Sequence, residues 1–395
     1  MNSSKSHQAN RSKRSGPRTP LLNIARFCSA VVVLSTLTFL PTSMAFAAEN
    51  GGYAKVNLVS DTPGLAKTTD PNLVNPWGLS HSFTGPWWIA DNNAGNAATY
   101  SGAGATVAPA VAIPSPTGGA GTPTGNVFNK VSSIAPKAFA VTEGARTGPS
   151  TFMFATEDGT ILGWNKNVDG AKAIITADRS AATDIQGDVG AIYKGLAFGF
   201  SNLRPYIYAT NFRFGTVEMF DQNFHLVKSF TDPHLTSMCS AVGQCYAPFG
   251  IQEIHGKLYV TFALQRAGKH DDQAGVGKGF VDIFDTDGTL QKRLVAHGNL
   301  NSPWGVALAP HDFGQFSRDL LVGNFGDGTI NAYNPHSGAF KGTLTDRKGG
   351  AIQTDGLWGL AFGNDFGAGR ANELFFSAGI NDESHGLFGK IAENE

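Results

Sequence analysis

Two short segments of the sequence combine carboxylates with a histidine. They read HDDQAGVGKG (270–279) and NDESHG (381–386). Their candidate side chains are His270, Asp271, Asp272, Asp382, Glu383 and His385. Such clusters can coordinate a divalent cation, because hard ions take several oxygens and borderline ions accept nitrogen. The same groups could act as general acid and base if their surroundings separate their pKa values.

An interpretation without any ligand fits these segments as well, and the sequence alone favours it. Acidic loop residues are usually solvated, or they cap turns by accepting backbone hydrogen bonds. Neither segment matches the twelve-residue calcium loop of an EF-hand. The cofactor is therefore unknown from the sequence, with a divalent cation as one possibility, and no catalytic or metal-ligating residue is assigned.

The two segments lie in a sequence that repeats itself after residue 50. The phrase NPWGLS at 75 recurs as APFGIQ at 247, SPWGVA at 302 and GLWGLA at 356, with looser copies IYKGLAF at 192 and PKAFAVT at 136. Six copies follow, spaced by about 55 residues or somewhat more. Their equivalent positions are expected near Trp77, Phe139, Lys194, Phe249, Trp304 and Trp358.

Each copy contains short apolar runs rich in Val, Ile, Phe, Tyr and Thr. Gly, Asn, Asp and Pro bound these runs, which show no helical period and are typical of strands. Four strands in each of six copies predict an all-β fold, a six-bladed β-propeller with four-stranded antiparallel blades. The sixth copy has only three strands before the chain ends. We expect YAKVNLVS (53–60) to supply its outer strand and close the ring.

Propeller topology predicts where the two acidic segments lie. The loop that enters the first strand of a blade and the loop that joins its second and third strands share one face. We therefore expect His270, Asp271, Asp272, Asp382, Glu383 and His385 to lie on one polar face around the central channel, together with Asp91, Asn211 and Asn324. We expect Trp77, Trp304 and Trp358 to pack between blades rather than to stack on a sugar. The small-residue stretch 102–125 is expected to form a long, flexible connection.

Five stretches carry a resemblance to a known family. They are NPWGLS…WWIADNNAGNAATYSG, TGPSTFMFATEDGTILGWN, YAPFGIQEIHGKLYVTFALQRAGKHDDQAGVGKGFVDIFDTDGTL, NSPWGVALAPHDFGQFSRDLLVGNFGDGTINAYNP and DGLWGLAFGNDFGAGRANELFFSAGINDESHGLFG. They resemble a family of secreted bacterial propellers of uncharacterised function, distantly similar to NHL-repeat and YncE-like propellers. The resemblance covers nearly the whole mature chain. It implies the fold and identifies no catalytic residue.

The first 47 residues have the pattern of a secretory signal peptide. They hold six Lys and Arg but no acidic residue, then an apolar run over 27–40, then Ala45 and Ala47 in small-x-small spacing. The run is shorter than the roughly 20 residues that span a bilayer. We therefore expect cleavage after Ala47 or Ala48, export to the periplasm or the extracellular medium, and one propeller domain over 48–395. No membrane span is expected in the mature chain.

The mature chain would carry a net charge of −7. A nucleic-acid partner is not expected, because a phosphate-binding surface needs an excess of basic residues.

Cys239 and Cys245 are separated by five residues. In an oxidising compartment, two cysteines at this spacing favour a disulfide that closes a small loop. A zinc site would need further ligands nearby, and none has a suitable spacing.

Three classes of function remain open at this level, because propellers host many activities. The first is a binding or scaffold protein that recognises an unknown ligand or protein on the channel face. The second is a metal-assisted hydrolase or lactonase-like enzyme. The third is an envelope-associated interaction protein without a small-molecule site. We favour the first class; the oligomeric state is open.

Overall fold

The computed structural model describes residues 52–236, 239 and 245–394. The expected signal peptide over 1–47 lies outside this part of the chain. Cys239 and Cys245 form a disulfide, as the sequence predicted. Within the described residues, no helix is long and apolar enough to cross a membrane.

The strands form six sheets of a propeller. The chain begins with β1 (Tyr53–Ser60) and β2 (Thr68–Thr69). Blade 1 contains β3 (Pro76–His81), β4 (Trp87–Asp91), β5 (Asn96–Tyr100) and β6 (Thr106–Ala112). Blade 2 begins with β7 (Pro123–Phe128), is interrupted by a hairpin of β8 (Ala140–Glu143) and β9 (Arg146–Pro149), and continues with β10 (Phe152–Thr156), β11 (Thr160–Trp164) and β12 (Ile174–Asp178).

The remaining blades follow the same order of four strands. Blade 3 contains β13 (Tyr193–Ser201), β14 (Arg204–Asn211), β15 (Thr216–Phe220) and β16 (Leu226–Phe230). A short helix, α1 (Pro233–Thr236), precedes blade 4, which contains β17 (Tyr246–Ile254), β18 (Lys257–Leu264), β19 (Phe280–Asp285) and β20 (Leu290–Ala296). Blade 5 contains β21 (Pro303–Leu308), a 3-10 turn (Gly314–Phe316), β22 (Leu320–Asn324), β23 (Ile330–Tyr333) and β24 (Phe340–Thr343). Blade 6 contains β25 (Leu357–Phe362), β26 (Leu374–Ile380) and β27 (His385–Glu393).

The N-terminal strand closes the ring. β1 pairs antiparallel with β27, from Tyr53 opposite Glu393 to Ser60 opposite Leu387. The Tyr53 hydroxyl also donates to the Phe313 carbonyl at 2.8 Å, which connects this strand to blade 5. The predicted six-bladed fold and its closure by residues 53–60 are therefore confirmed.

The sequence analysis placed the second repeat at the wrong residues. The innermost strand of blade 2 is β7, so Thr124 and Gly125 occupy the repeat position that was expected near Phe139. Phe139 instead precedes the inserted hairpin and packs edge-on against Phe198, with 5.9 Å between ring centroids. The stretch 102–125 is not a flexible connection, because it supplies β6 and the start of β7. The repeat was missed because Thr124 is small where most other copies have an aromatic residue.

Six glycines allow the innermost strands to pack backbone against backbone. They are Gly78, Gly125, Gly195, Gly250, Gly305 and Gly359, and we call them the ring glycines. A Cβ on Gly250 would lie 2.0 Å from the Trp304 carbonyl oxygen of the next blade, and one on Gly305 would lie 2.5 Å from the Trp358 carbonyl oxygen. Contacts of this kind recur around the whole ring. The inner strands therefore approach too closely for a side chain at five of these positions, and at Gly195 the nearest atom would lie 3.1 Å from a Cβ.

Three tryptophans fill the axis of the propeller. Trp77 stacks on Trp358 at 3.6 Å between ring centroids, and Trp304 meets Trp358 edge-on at 5.8 Å. Each stands directly before a ring glycine, so its side chain points to the axis. They belong to the neighbouring blades 5, 6 and 1, so they pack between blades as expected, and they do so on one another at the axis. We call Trp77, Trp304 and Trp358 the tryptophan plug.

The ring contacts predict a large cost for one added methyl group. We expect Gly250→Ala to lower the free energy of unfolding by about 3 kcal/mol, because the new Cβ would clash with the backbone of blade 5. Gly268→Ala is the matched control, since a Cβ there meets no atom within 4 Å. Its effect should stay within about 0.5 kcal/mol. Urea denaturation of both variants measures the difference, and equal stabilities would contradict the backbone contact.

Candidate functional site

A polar cavity of about 420 Å³ lies directly above the tryptophan plug. Its walls come from the starts of β3, β13 and β25 and from the loops that join the second and third strands of blades 1, 2, 4, 5 and 6. Trp77, Trp358 and Phe325 form its apolar part, and Phe325 stacks on Trp358 at 4.0 Å. We call this volume the axial cavity. It opens on the face that the strand order assigns to the two acidic segments.

The axial cavity brings together five of the nine residues that the sequence singled out. They are His270, Asp271, Asp272, Asp382 and Glu383. The first three lie in the β18–β19 loop and the other two in the β26–β27 loop. The two segments therefore approach one another across the axis, although blade 5 separates their blades.

The other four candidates do not line the cavity. His385 Nδ1 lies 2.6 Å from Asp61 Oδ2, in the outer part of blade 6. Asn211 and Asn324 are buried at the ends of β14 and β22. Each accepts a hydrogen bond from a backbone N–H of a neighbouring segment, so both hold the loops in place. Asp91 is fully buried at the end of β4.

Lys194 is the central charged group of the site. It occupies the repeat position of Trp77, and its side chain is only 3% exposed. Its ammonium donates to Glu157 Oε1, lies 3.9 Å from Asp271 Oδ1, and stands 5.0 Å from the centroid of the Trp77 ring. An ammonium over an indole face gains a further electrostatic attraction. In the sequence Lys194 stands out only as a repeat position, although it is the one charged residue among the six residues before the ring glycines.

Glu157 is held from two sides. Its Oε1 accepts from Lys194, and its Oε2 accepts a hydrogen bond from Asn92 Nδ2 at 2.9 Å. The sequence signal for Glu157 was weak, because it precedes the Asp-Gly turn after β10 and resembles an ordinary turn residue. A buried ion pair of this kind requires full hydrogen bonding to offset the loss of hydration. Both oxygens of Glu157 meet that requirement.

His270 and Asp271 form a second pair at the rim. His270 Nδ1 lies 2.7 Å from Asp271 Oδ1 and 3.9 Å from Glu157 Oε1. The hydrogen bond from His270 keeps the pKa of Asp271 below its usual range, with Lys194 and Arg266 acting in the same direction. Asp271 is therefore held as a carboxylate.

Glu157, His270 and Asp271 present one donor atom each within 4.8 Å of one another. Carboxylate oxygens and an imidazole nitrogen at this spacing are donor atoms that a divalent cation can accept. However, the Lys194 ammonium already contacts the Glu157 oxygen and lies close to Asp271. A metal ion at this point would be repelled by that ammonium. The donor set therefore fits Lys194 better than a metal.

Two other acids of the cavity are forced toward the neutral form. Burial raises the pKa of Glu383 to about 7, while the Lys194 charge acts in the opposite direction. Burial also raises the pKa of Asp272, against the Ser302 hydroxyl and Lys194. Asp272 is only 6% exposed, and its Oδ2 has no hydrogen-bond partner among the described residues.

The loop that carries Glu383 has an unusual backbone. Asn381, Asp382 and Glu383 all have a positive φ, at 56°, 51° and 62°. Such angles are uncommon for residues with a Cβ and persist only where other contacts fix them. Asn93 Nδ2 donates to the Glu383 carbonyl at 2.7 Å, and the Asn381 N–H donates to Asp355 Oδ2 at 2.7 Å. These bonds hold Glu383 against the cavity.

The fold and the axial cavity define the chain as a six-bladed β-propeller with a charged site on its axis. No family model matches it. The uncharacterised protein R648 of Acanthamoeba polyphaga mimivirus is 31% identical over 345 residues, covering 86% of this chain and 80% of that protein. The chain therefore belongs to the same protein family as R648. Another uncharacterised protein of the same virus, L690, is 28% identical over 350 residues, which are 86% of each chain.

Solved structures with a similar shape share little sequence with the chain. A streptogramin B lyase is 13% identical, with a TM-score of 0.47 over 87% of this chain and 97% of the lyase. The Dos1 propeller is 9% identical, with a TM-score of 0.42 over 83% of this chain and 70% of that chain. Neither likeness bears on function. The resemblance to propellers is confirmed, whereas a bacterial family related to NHL-repeat and YncE-like propellers remains a prediction.

The buried Asp91 generates a prediction on stability. Burial raises the pKa of Asp91 well above its usual range, and neither carboxylate oxygen has a hydrogen-bond partner among the described residues. The folded state therefore keeps this proton to a higher pH than the unfolded chain does, and this linkage lowers stability as the pH rises above about 4. Asn stands at the equivalent positions 211 and 324.

Asp91→Asn should therefore raise the free energy of unfolding at pH 7 by at least about 1 kcal/mol, and the gain should vanish near pH 3. Chemical denaturation at both pH values measures it. Asp312→Asn, at a half-exposed carboxyl in the β21–β22 connection, is the control and should change little at either pH. A loss of stability at pH 7 in Asp91→Asn would contradict the burial argument.

Proposed function

We propose that the protein is an exported binding protein that holds a small polar ligand in the axial cavity. The observation that carries this proposal is the meeting of loops from five blades around one charged cavity, with Lys194 buried at its centre. The cavity volume lies in the range of small-molecule sites. Its walls are fixed by hydrogen bonds between loops, so the site is formed before a ligand enters.

Export is proposed from the first 47 residues, in which basic residues precede an apolar run and a small-x-small site. The disulfide supports an oxidising compartment. Intact-mass measurement of protein recovered from the exported fraction should give a chain that begins at Ala48 or Glu49.

A thermal-shift experiment tests binding. The probes are 1,4-diaminobutane, 1,4-butanediol, glucose, succinate and calcium chloride, which together cover the charge classes. A ligand that binds only the folded state raises the melting temperature with its concentration. We expect at least one probe to do so with the wild-type protein.

The matched variants are His270→Trp and His311→Trp. His270 lines the rim of the cavity, so a tryptophan there should block entry and abolish the shift. His311 is exposed in the β21–β22 connection, outside the cavity lining, so its variant should behave as wild type. The proposal would be contradicted if the rise in melting temperature persists in His270→Trp, or if no probe raises the melting temperature of the wild-type protein.

A second candidate function is general acid–base chemistry on the bound ligand. One feature favours it: burial in the cavity raises the pKa of Glu383 to about 7. A group that titrates near neutral pH can both accept and donate a proton. If the site is catalytic, Glu383→Gln should retain ligand binding and lose turnover, measured by mass spectrometry of the incubated ligand. Turnover that survives this substitution would remove Glu383 from the chemistry.

A further inference from the structure

The acids of the axial cavity fall into two groups. Glu157 and Asp271 face the Lys194 ammonium. Asp272, Asp382 and Glu383 form no ion pair with any residue of the part of the chain that the structure describes, although all three line the same cavity. The cavity therefore contains carboxyl groups that no side-chain cation matches.

Several donors of the cavity are partly used, since each amide nitrogen named here donates one of its two N–H groups. Asn92 Nδ2 donates to Glu157, Asn75 Nδ2 donates to Asn93 Oδ1 at 3.3 Å, and Asn93 Nδ2 donates to the Glu383 carbonyl. Arg266 Nε donates to the Asp272 carbonyl at 2.8 Å. The five acids of the cavity lining nevertheless outnumber its two permanent cations, Lys194 and Arg266, so the cavity has a negative balance that a cationic ligand would offset.

From this balance, and resting on the function proposed above, we infer that the ligand is a small organic cation rich in N–H donors, an amine or a guanidine. Asp272 provides an independent sign of it. Its side chain is more than nine-tenths buried, lines the cavity, and keeps one oxygen without a hydrogen-bond partner among the described residues. A desolvated carboxylate without a partner is costly, and a nearby cation offsets that cost.

Lys194 shows how the cavity accommodates such a group. Its primary ammonium lies among Glu157, Asp271 and the Trp77 ring, which is an arrangement of carboxylates and an aromatic face. An amine on a ligand could make the same type of contact with the unmatched acids. These acids do not gather three donor atoms close enough for a metal ion, since among the described residues only Glu157, His270 and Asp271 do so. A ligand with spaced donors therefore fits better than a divalent cation.

Isothermal titration calorimetry at pH 8 tests the inference with three four-carbon probes of different charge. We expect 1,4-diaminobutane to bind wild-type protein, with 1,4-butanediol and succinate at least about tenfold weaker. Asp272→Asn and Glu383→Gln should each weaken diamine binding by about tenfold or more, because each keeps the side-chain shape and removes a charge. Asp312→Asn, at a carboxyl outside the cavity lining, should leave it unchanged.

The pH dependence gives a second readout. Amines stay protonated below about pH 9, whereas the pKa of Glu383 is about 7. The affinity for the diamine should therefore rise between pH 6 and pH 8 as Glu383 becomes charged. This rise should be smaller in Glu383→Gln, where only Asp272 is left with a pKa that burial raises.

The outcomes separate the two proposals. Succinate or butanediol binding as tightly as the diamine, and blocked by His270→Trp, would overturn the cationic class but leave the axial site intact. Calcium chloride that binds while the diamine does not, with loss in Asp272→Asn, would replace the organic cation by a metal ion. Diamine binding that neither substitution weakens would place the diamine elsewhere and overturn the inference. If none of the probes binds, the proposed binding function itself is contradicted.

Discussion

The contact between each ring glycine and the backbone of the next blade is the constraint on which the rest of the structure depends. Six innermost strands meet at one axis, and a Cβ at Gly125 or Gly250 would lie about 2 Å from a backbone atom of the neighbouring strand. Hydroxyls of the second strands reinforce these contacts, since Thr210 Oγ1 donates to the Phe249 carbonyl at 2.8 Å. Because protein interiors tolerate little change in packing, this ring fixes the orientation of every inner strand.

A ring built in this way decides which side chains reach the axis. In blades 1 and 3 to 6 the residue directly before the glycine reaches the axis, so this position largely determines what fills the channel. Trp77, Trp304 and Trp358 make it apolar and close it. Lys194, at the same position of blade 3, brings the one charge to the axis, and the loops above it supply the acids. The plug and the charged cavity are therefore two consequences of one repeat position.

The fold could be predicted from the sequence because the ring glycines and the strand pattern recur along it. The repeat in blade 2 was not recognised, since Thr124 lacks the bulk of its equivalents and a hairpin follows β7. For the site, chain topology placed the loops on the correct face, which brought His270 and Glu383 to one cavity. Topology does not decide whether a residue at a strand end turns toward the axis or under a loop, and so it could not separate Asp272 from Asn211.

The Lys194–Glu157 pair is hard to explain as a source of stability. Burying two charges costs several kcal/mol for each ion, and well-packed apolar residues of similar size are often as stable or more so. The same ring position in blades 1, 4, 5 and 6 holds aromatic residues, so the fold accommodates them there. Departures from the pattern of a fold tend to concentrate where function requires them. The charge on the axis, the unmatched Asp272 and the left-handed backbone at Glu383 lie around one cavity, and the ligand site that we propose would account for all three.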